Sequence, residues 1–85
     1  MKYTKIPAIS GKQLLRLLKK DGWFVKRRTK HGLAVIKRVS DRTIVTIIPG
    51  TRASLDEGTL MAILGSKQTK IGKKGLIELL NKYGL

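Results

Sequence analysis

Apolar residues recur at helical spacing in two stretches of the chain, one near each end. Positions 14, 15, 17 and 18 are leucine, with lysine and arginine around them, and positions 76, 77, 79 and 80 are leucine or isoleucine. This spacing places the apolar side chains on one face of a helix and the charged ones on the other. The pattern predicts a helix over about 11–20 and another over 73–83.

Polar residues predict the ends of the first helix. Ser10 and Gln13 have the spacing of a capping box, in which each side chain accepts a hydrogen bond from a backbone N–H of the other residue. Asp21-Gly22 predicts the C-terminus, because glycine adopts the left-handed conformation of a helix C-cap.

A second capping box is predicted at Ser54-Leu55-Asp56-Glu57, where both acids complement the positive end of a helix dipole. Leu60, Ile63 and Leu64 then give a short apolar face. We therefore expect a helix over about 55–64, with Gly65 at its end.

Three short runs rich in β-branched and aromatic residues lie between the first two helices. The runs span 23–29, 33–39 and 43–48, and they are bounded by the turn residues 30–32, 40–42 and 49–50. Two short turns favour an antiparallel three-stranded meander. The element order α-β-β-β-α-α predicts an α+β fold in one domain over 1–85, with the helices packed on one face of the sheet.

The charge of the chain adds a functional prediction. Nineteen Lys and Arg residues face five Asp and Glu residues, which gives a formal net charge of +14. Cations are densest over 26–42, where Asp41 is the only acid: Lys26, Arg27, Arg28, Lys30, Lys37, Arg38 and Arg42. Like charges at this density repel, whereas a phosphate backbone stabilises them by ion pairing and counterion release. We predict contact with nucleic acid; the alternative is a solvated surface that only keeps the protein soluble.

Composition also excludes several kinds of site. Without cysteine the chain has no disulfide, no thiolate nucleophile and no zinc–sulfur site. One histidine and scattered acids argue against a two-metal nuclease site, so we predict no metal and no cofactor. The first residues lack the apolar region of a signal peptide, and no apolar run approaches the roughly 18 residues of a membrane span. We expect a soluble cytoplasmic protein without a membrane partner.

His31 is the candidate for proton transfer, because histidine is the side chain whose ordinary pKa lies nearest neutrality. It falls where the first predicted strand turns into the second, within the basic stretch. There it could take a proton from a ribose 2′-hydroxyl or give one to a leaving 5′-oxygen. A turn histidine that only binds phosphate, or has no role, is the alternative on spacing alone.

Trp23 and Phe24 follow the first helix directly, and alternation along a strand places their side chains on opposite faces. One of them belongs in the core. The other stacks a base or is partly buried at the sheet edge.

Four motifs together carry a family resemblance. They are the opening helix at 10–18, the junction Asp21-Gly22-Trp23, the lone histidine at the start of the second strand, and the stretch Gly-Thr-Leu-Met-Ala-Ile-Leu at 58–64. In order and spacing, over about residues 6–85, the chain resembles the HicA-type toxins. These are small ribosome-independent mRNA interferases that pair with HicB-type antitoxins.

The resemblance implies a fold like the double-stranded-RNA-binding domain and metal-independent cleavage of single-stranded mRNA, with His31 as the catalytic residue. Arg28, Lys30 and Lys26 would stabilise charge on the scissile phosphate, while the remaining basic residues hold the strand without reading its sequence. A HicB-like acidic antitoxin would neutralise the toxin. A non-catalytic RNA- or DNA-binding module that uses the same basic surface is the alternative.

The chain departs from the family pattern around the histidine. Thr29-Lys30 precede it where the family usually has small residues, and Gly32-Leu33-Ala34 follow it where the family favours a bulky side chain. Glu57 replaces the proline often found before the Gly-Thr-Leu stretch.

Overall fold

Three helices and three strands follow one another in the order expected from the sequence. A computed structural model of the chain describes residues 3–50, 52–65 and 68–84. Its elements are α1 (Gly11–Lys20), β1 (Phe24–Thr29), β2 (Gly32–Val39), β3 (Arg42–Ile48), α2 (Glu57–Leu64) and α3 (Gly72–Tyr83). The predicted α+β class and the strand bounds, to within one residue, are confirmed. The predicted domain also takes in residues 1, 2, 51, 66, 67 and 85, which lie outside the described residues.

The strands form an antiparallel meander in the order β1-β2-β3. Leu33 pairs with Ile48 near the start of β2, and Val39 pairs with Arg42 at its end. The β1–β2 turn and the β2–β3 turn therefore lie at opposite ends of the sheet, separated by the length of β2. Eight residues of strand span roughly 25 Å.

The helices cover one face of the sheet. Val35 and Ile48 are buried in the core together with leucines from all three helices, whereas Val45 and Ile47, which alternate with the buried positions of β3, are exposed. The expected packing of helices on one face is confirmed. The open face is covered by no helix within the described ranges.

A leucine-rich core joins the helices to the sheet. It comprises Ile9, Leu14, Leu17, Leu18, Trp23, Val35, Ile48, Leu60, Ile63, Leu64, Leu76, Leu79 and Leu80. Trp23 is 3% exposed and Phe24 is 52% exposed, so the expected division of the two aromatic residues between core and surface is confirmed. Leu15 and Ile77, expected inside, are only half-buried.

Helix α1 has the ends that its sequence predicts. Ser10 Oγ accepts from the Gln13 backbone N–H at 3.1 Å, and Gln13 Oε1 accepts from the Ser10 N–H at 3.0 Å. Asp21 is the C-cap, and Gly22 follows with φ of 97°, a conformation that glycine adopts without strain.

The predicted start of α2 is wrong. The N-cap is Asp56, whose carboxylate accepts from the Thr59 backbone N–H at 3.1 Å, and the helix begins at Glu57. Ser54 forms an isolated β-bridge with Ser10, and the Leu55 N–H donates to the Ile9 carbonyl at 2.8 Å. These bonds hold the chain extended at 54–55, so Ser54 cannot cap a helix, and Glu57 occupies the first turn instead of closing a capping box.

The segment before α1 is tied to α3. The Tyr3 N–H donates to Asn81 Oδ1, and Asn81 Nδ2 donates to the Tyr3 carbonyl at 3.1 Å. The two hydrogen bonds hold the backbone at Tyr3 against α3. None of the helices within the described residues has the length and apolar character needed to cross a bilayer.

Candidate nucleic-acid interface

His31 lies in the tight turn that joins β1 to β2 and is exposed to solvent. The Thr29 hydroxyl donates to the Gly32 carbonyl at 3.0 Å and accepts from the His31 backbone N–H at 3.2 Å. One side chain therefore bonds backbone groups on both sides of the turn. The position of His31 is set by the meander and by this local hydrogen bonding.

Gly32 completes the turn and cannot be replaced by a larger residue. Its φ is 146°, and a Cβ at this position would lie 2.2 Å from the Ile48 carbonyl oxygen on β3. Glycine is required both for the dihedral angle and for the close approach of β3. The residue serves the backbone of the turn, which agrees with its expected role as a turn glycine.

A cleft opens between the turn and helix α1. Its volume is about 660 Å³, within the range of ligand-binding clefts. Leu15, Leu33 and Pro49 supply its apolar wall. The titratable and cationic residues that line it are His31, Lys12, Arg16, Lys19, Arg28 and Lys30. None of the described residues that line the cleft is acidic, so its field favours an anion.

A β-bulge directs Arg28 into this cleft. Val25 pairs with Val35, but Arg27 pairs with Ala34, so Lys26 has no partner on β2. The extra residue shifts the alternation by one position, because side chains in a strand point to opposite faces in turn. Arg28 consequently shares the helix-covered face with its partner Leu33, which also lines the cleft.

The structure brings together only part of the predicted basic cluster. Arg28 and Lys30 line the cleft with His31, whereas Lys26, Arg27, Lys37, Arg38 and Arg42 do not. Lys37 Nζ instead forms an ion pair with Asp21 at 3.1 Å, at the C-terminal end of α1. Arg38 lies six residues from Gly32 along β2, roughly 20 Å away.

The remaining residues of the predicted cluster are dispersed as well. Lys26 is exposed at the bulge, Arg27 lies on the open face beside Ala34, and Arg42 starts β3 at the far end of the sheet. Strand alternation and the two turns distribute the cations of the 26–42 stretch over both faces and both ends of the sheet.

Three cations of α1, which were not predicted from the sequence as site residues, line the cleft beside Arg28 and Lys30. Lys12, Arg16 and Lys19 are four and then three residues apart. That spacing places them in one row on the helix surface, over roughly 10 Å of its length. The row was visible in the sequence as a cationic stripe beside the leucine face. Its proximity to His31 depends on how α1 packs against the sheet.

The cleft has the groups needed to bind and polarise a phosphate diester. Guanidinium and ammonium groups stabilise negative charge on phosphate oxygens, and an exposed imidazole can exchange protons with a bound hydroxyl. Among the described residues, no group of three or more His, Cys, Asp or Glu side chains is arranged to hold a metal ion. The cationic lining of the cleft is suited to an anion.

Comparison with models of known protein families, with curated proteins and with solved structures gives no match for this chain.

Proposed function

We propose that this protein is the toxin of a type II toxin–antitoxin system, a HicA-like endoribonuclease that cleaves single-stranded mRNA in the cytoplasm without a metal ion. The proposal includes a fold of the double-stranded-RNA-binding type. The observation that supports the activity best is the position of the lone histidine, exposed in a cleft with five cations and no acidic lining residue among those described. The motifs shared with the HicA-type toxins supply the reaction class.

In the proposed reaction the imidazole of His31 takes the proton of the ribose 2′-hydroxyl. The 2′-oxygen then forms a bond to the adjacent phosphorus, and the bond from phosphorus to the 5′-oxygen breaks. The leaving 5′-oxygen receives a proton from the imidazolium or from water. The products are a 2′,3′-cyclic phosphate and a 5′-hydroxyl, and Arg28 and Lys30 stabilise the charge that develops on the phosphate oxygens.

The decisive experiment compares the wild-type chain with His31→Ala and His31→Gln. We expect both variants to lose RNA cleavage and growth arrest while RNA affinity changes by no more than a few fold, because five cations of the cleft remain. Arg38→Gln, far from the cleft, is the matched control and should retain activity. Unchanged cleavage by His31→Ala would contradict the catalytic role.

The second candidate function is a non-catalytic RNA- or DNA-binding module. The cationic row on α1 favours it as much as it favours the nuclease, because binding alone needs no proton transfer. The wild-type protein separates the two candidates. If the wild-type protein binds RNA without forming any cleavage product, and the His31 variants bind RNA equally well, the non-catalytic module is favoured.

We further propose that a HicB-like acidic antitoxin silences the toxin by covering the cleft. Acidic side chains of the partner would pair with the cationic residues there and displace the RNA backbone, and opposite charge would speed association at low salt. Hydrogen exchange with and without the antitoxin tests this. We expect protection at 28–32 and in α1. Protection confined to α3 would contradict occlusion and favour an indirect mechanism.

A further inference from the structure

The sheet face opposite the helices has an apolar centre. Phe24, Ile36 and Val45 lie opposite one another across the three strands, and Ala34 and Ile47 form the adjacent row. Phe24, Val45 and Ile47 are 52%, 48% and 39% exposed, whereas Ile36 is half-buried and Ala34 is buried, and none of the three exposed residues belongs to the core cluster. Contiguous exposed apolar surface of this kind marks interaction sites.

Arginine stands at each end of this apolar centre. Arg27 pairs with Ala34 in one terminal row, and Arg38 pairs with Thr43 beyond the Phe24 row. Both side chains are exposed, and the ion pair seen among the described residues joins Lys37 to Asp21 and involves neither. The face therefore presents an apolar patch between two guanidinium groups.

We propose that this open face binds a protein surface that has an apolar centre and acidic residues at its rim. The apolar rows gain free energy when they are removed from water. The guanidinium groups of Arg27 and Arg38 match carboxylates in shape and charge, so they select the partner and fix its orientation. The remainder of the strongly cationic chain attracts the same partner at longer range.

A second copy of this chain does not fit the face. Both ends of the patch carry arginine, so stacking two copies face to face brings guanidinium groups of like charge close together. Each copy also carries a net charge of +14.

RNA fits the face poorly as well. Sheets that stack bases present two or three aromatic rings, whereas this patch has Phe24 as its one ring and is otherwise aliphatic. A protein surface is the occupant that matches both the aliphatic rows and the arginine ends.

This surface is separate from the candidate nuclease cleft. Arg28 and Leu33 of the cleft lie on the helix-covered side of the sheet, whereas Arg27 and Ala34 lie on the open side. The proposal holds whether or not His31 cleaves RNA, and its test requires no measurement of cleavage.

The test uses the full-length protein and a synthetic amphipathic helical peptide with leucine on one face and glutamate along both flanks. We expect the peptide to shift the methyl NMR signals of Ile36, Val45 and Ile47. The double variant Val45→Thr/Ile47→Thr, which keeps β-branched residues in the strand, should weaken binding at least tenfold while circular dichroism stays unchanged. The double variant Arg27→Gln/Arg38→Gln should weaken binding of the peptide severalfold.

Two controls make the result specific. Arg42→Gln removes a cation at the same end of the sheet as Arg38 but from the other face, and it should leave affinity unchanged. A peptide with lysine in place of glutamate should not bind. The proposal is overturned if the glutamate peptide does not bind, if both peptides bind equally, or if the shifts fall on the helix-covered side. It is also overturned if a uridine oligonucleotide shifts the same methyl signals, or if the face proves to mediate a dimer in sedimentation.

Discussion

The Thr29 hydroxyl accepts a hydrogen bond from the backbone N–H of His31, at 3.2 Å, and thereby fixes the candidate catalytic residue to the end of β1. The same hydroxyl donates to the carbonyl of Gly32, the first residue of β2, at 3.0 Å. Both hydrogen bonds give Thr29 a structural role in this turn.

Replacing Thr29 with valine should loosen the turn. Thr29→Val keeps the β-branched shape and removes two hydrogen bonds, each worth about 1 kcal/mol net at most in a partly exposed position. We expect a lower melting temperature and a reduced cleavage rate, with RNA affinity nearly unchanged. Thr29→Ser retains the hydroxyl and is the control. Wild-type stability and cleavage in Thr29→Val would show that these bonds do not position His31.

RNA binding should depend strongly on salt through the cleft residues. If the cleft engages about five phosphates, log K should fall with log salt at a slope near −3.5, from roughly −0.7 per phosphate on a single strand. Arg28→Gln and Arg16→Gln should each flatten the slope by about 0.7. Fluorescence anisotropy with a labelled oligonucleotide at several salt concentrations measures this slope.

Arg38→Gln is the matched control for the salt experiment. From the sequence alone, Arg38 is expected to act like Arg28, but it lies on the other face of the sheet, roughly 20 Å from the turn. For Arg38→Gln we expect log K to fall with log salt at the same slope as for the wild-type chain. Equal flattening by Arg28→Gln and Arg38→Gln would contradict the cleft as the site of binding.

Cleavage should require the 2′-hydroxyl at the cut site and should not require divalent metal. The reason is the composition of the chain, which has no cysteine, one histidine and five scattered acids. A substrate with a single 2′-deoxy or 2′-O-methyl group at the cut site should resist, while EDTA should leave the rate unchanged. Cleavage of the 2′-modified substrate, or loss of activity in EDTA, would contradict the proposed reaction.

The cap of α2 should make stability depend on pH in acid. Hydrogen bonds from the Thr59 side chain and then from its backbone N–H lower the pKa of Asp56 from its ordinary value of 3.8. A lowered pKa means that the cap stabilises the fold above pH 3.8, and that this stabilisation is lost as the pH falls through the pKa of the folded state.

Asp56→Ala should therefore lower the melting temperature at pH 7, and the difference from the wild-type chain should shrink in acid below pH 3.8. Ser54→Ala is the control, because Ser54 lies in the β-bridge and does not cap the helix. Thermal unfolding followed by circular dichroism measures both. A larger loss in Ser54→Ala than in Asp56→Ala would contradict the observed cap.

The elements and their order follow from local patterns along the chain. Helix α1 follows from its leucine spacing and from Ser10 and Gln13, because periodicity and capping act between residues within about one turn. The meander follows from two short turns between β-prone runs for the same reason. Composition likewise established the excess of positive charge and singled out His31 as the candidate residue, since a net charge and a lone histidine do not depend on how the chain folds.

Which cations accompany His31 depends on contacts between elements distant in sequence. The unpaired Lys26 shifts the strand alternation and turns Arg28 to the helix-covered side, and the packing of α1 brings Lys12, Arg16 and Lys19 to the turn. Contacts with the segment before α1 hold Ser54 in extended backbone, so the N-cap of α2 is Asp56 and not the predicted Ser54. These outcomes depend on the β-bulge in β1 and on packing between residues distant in sequence, and the alternation of residue types along one strand reveals neither.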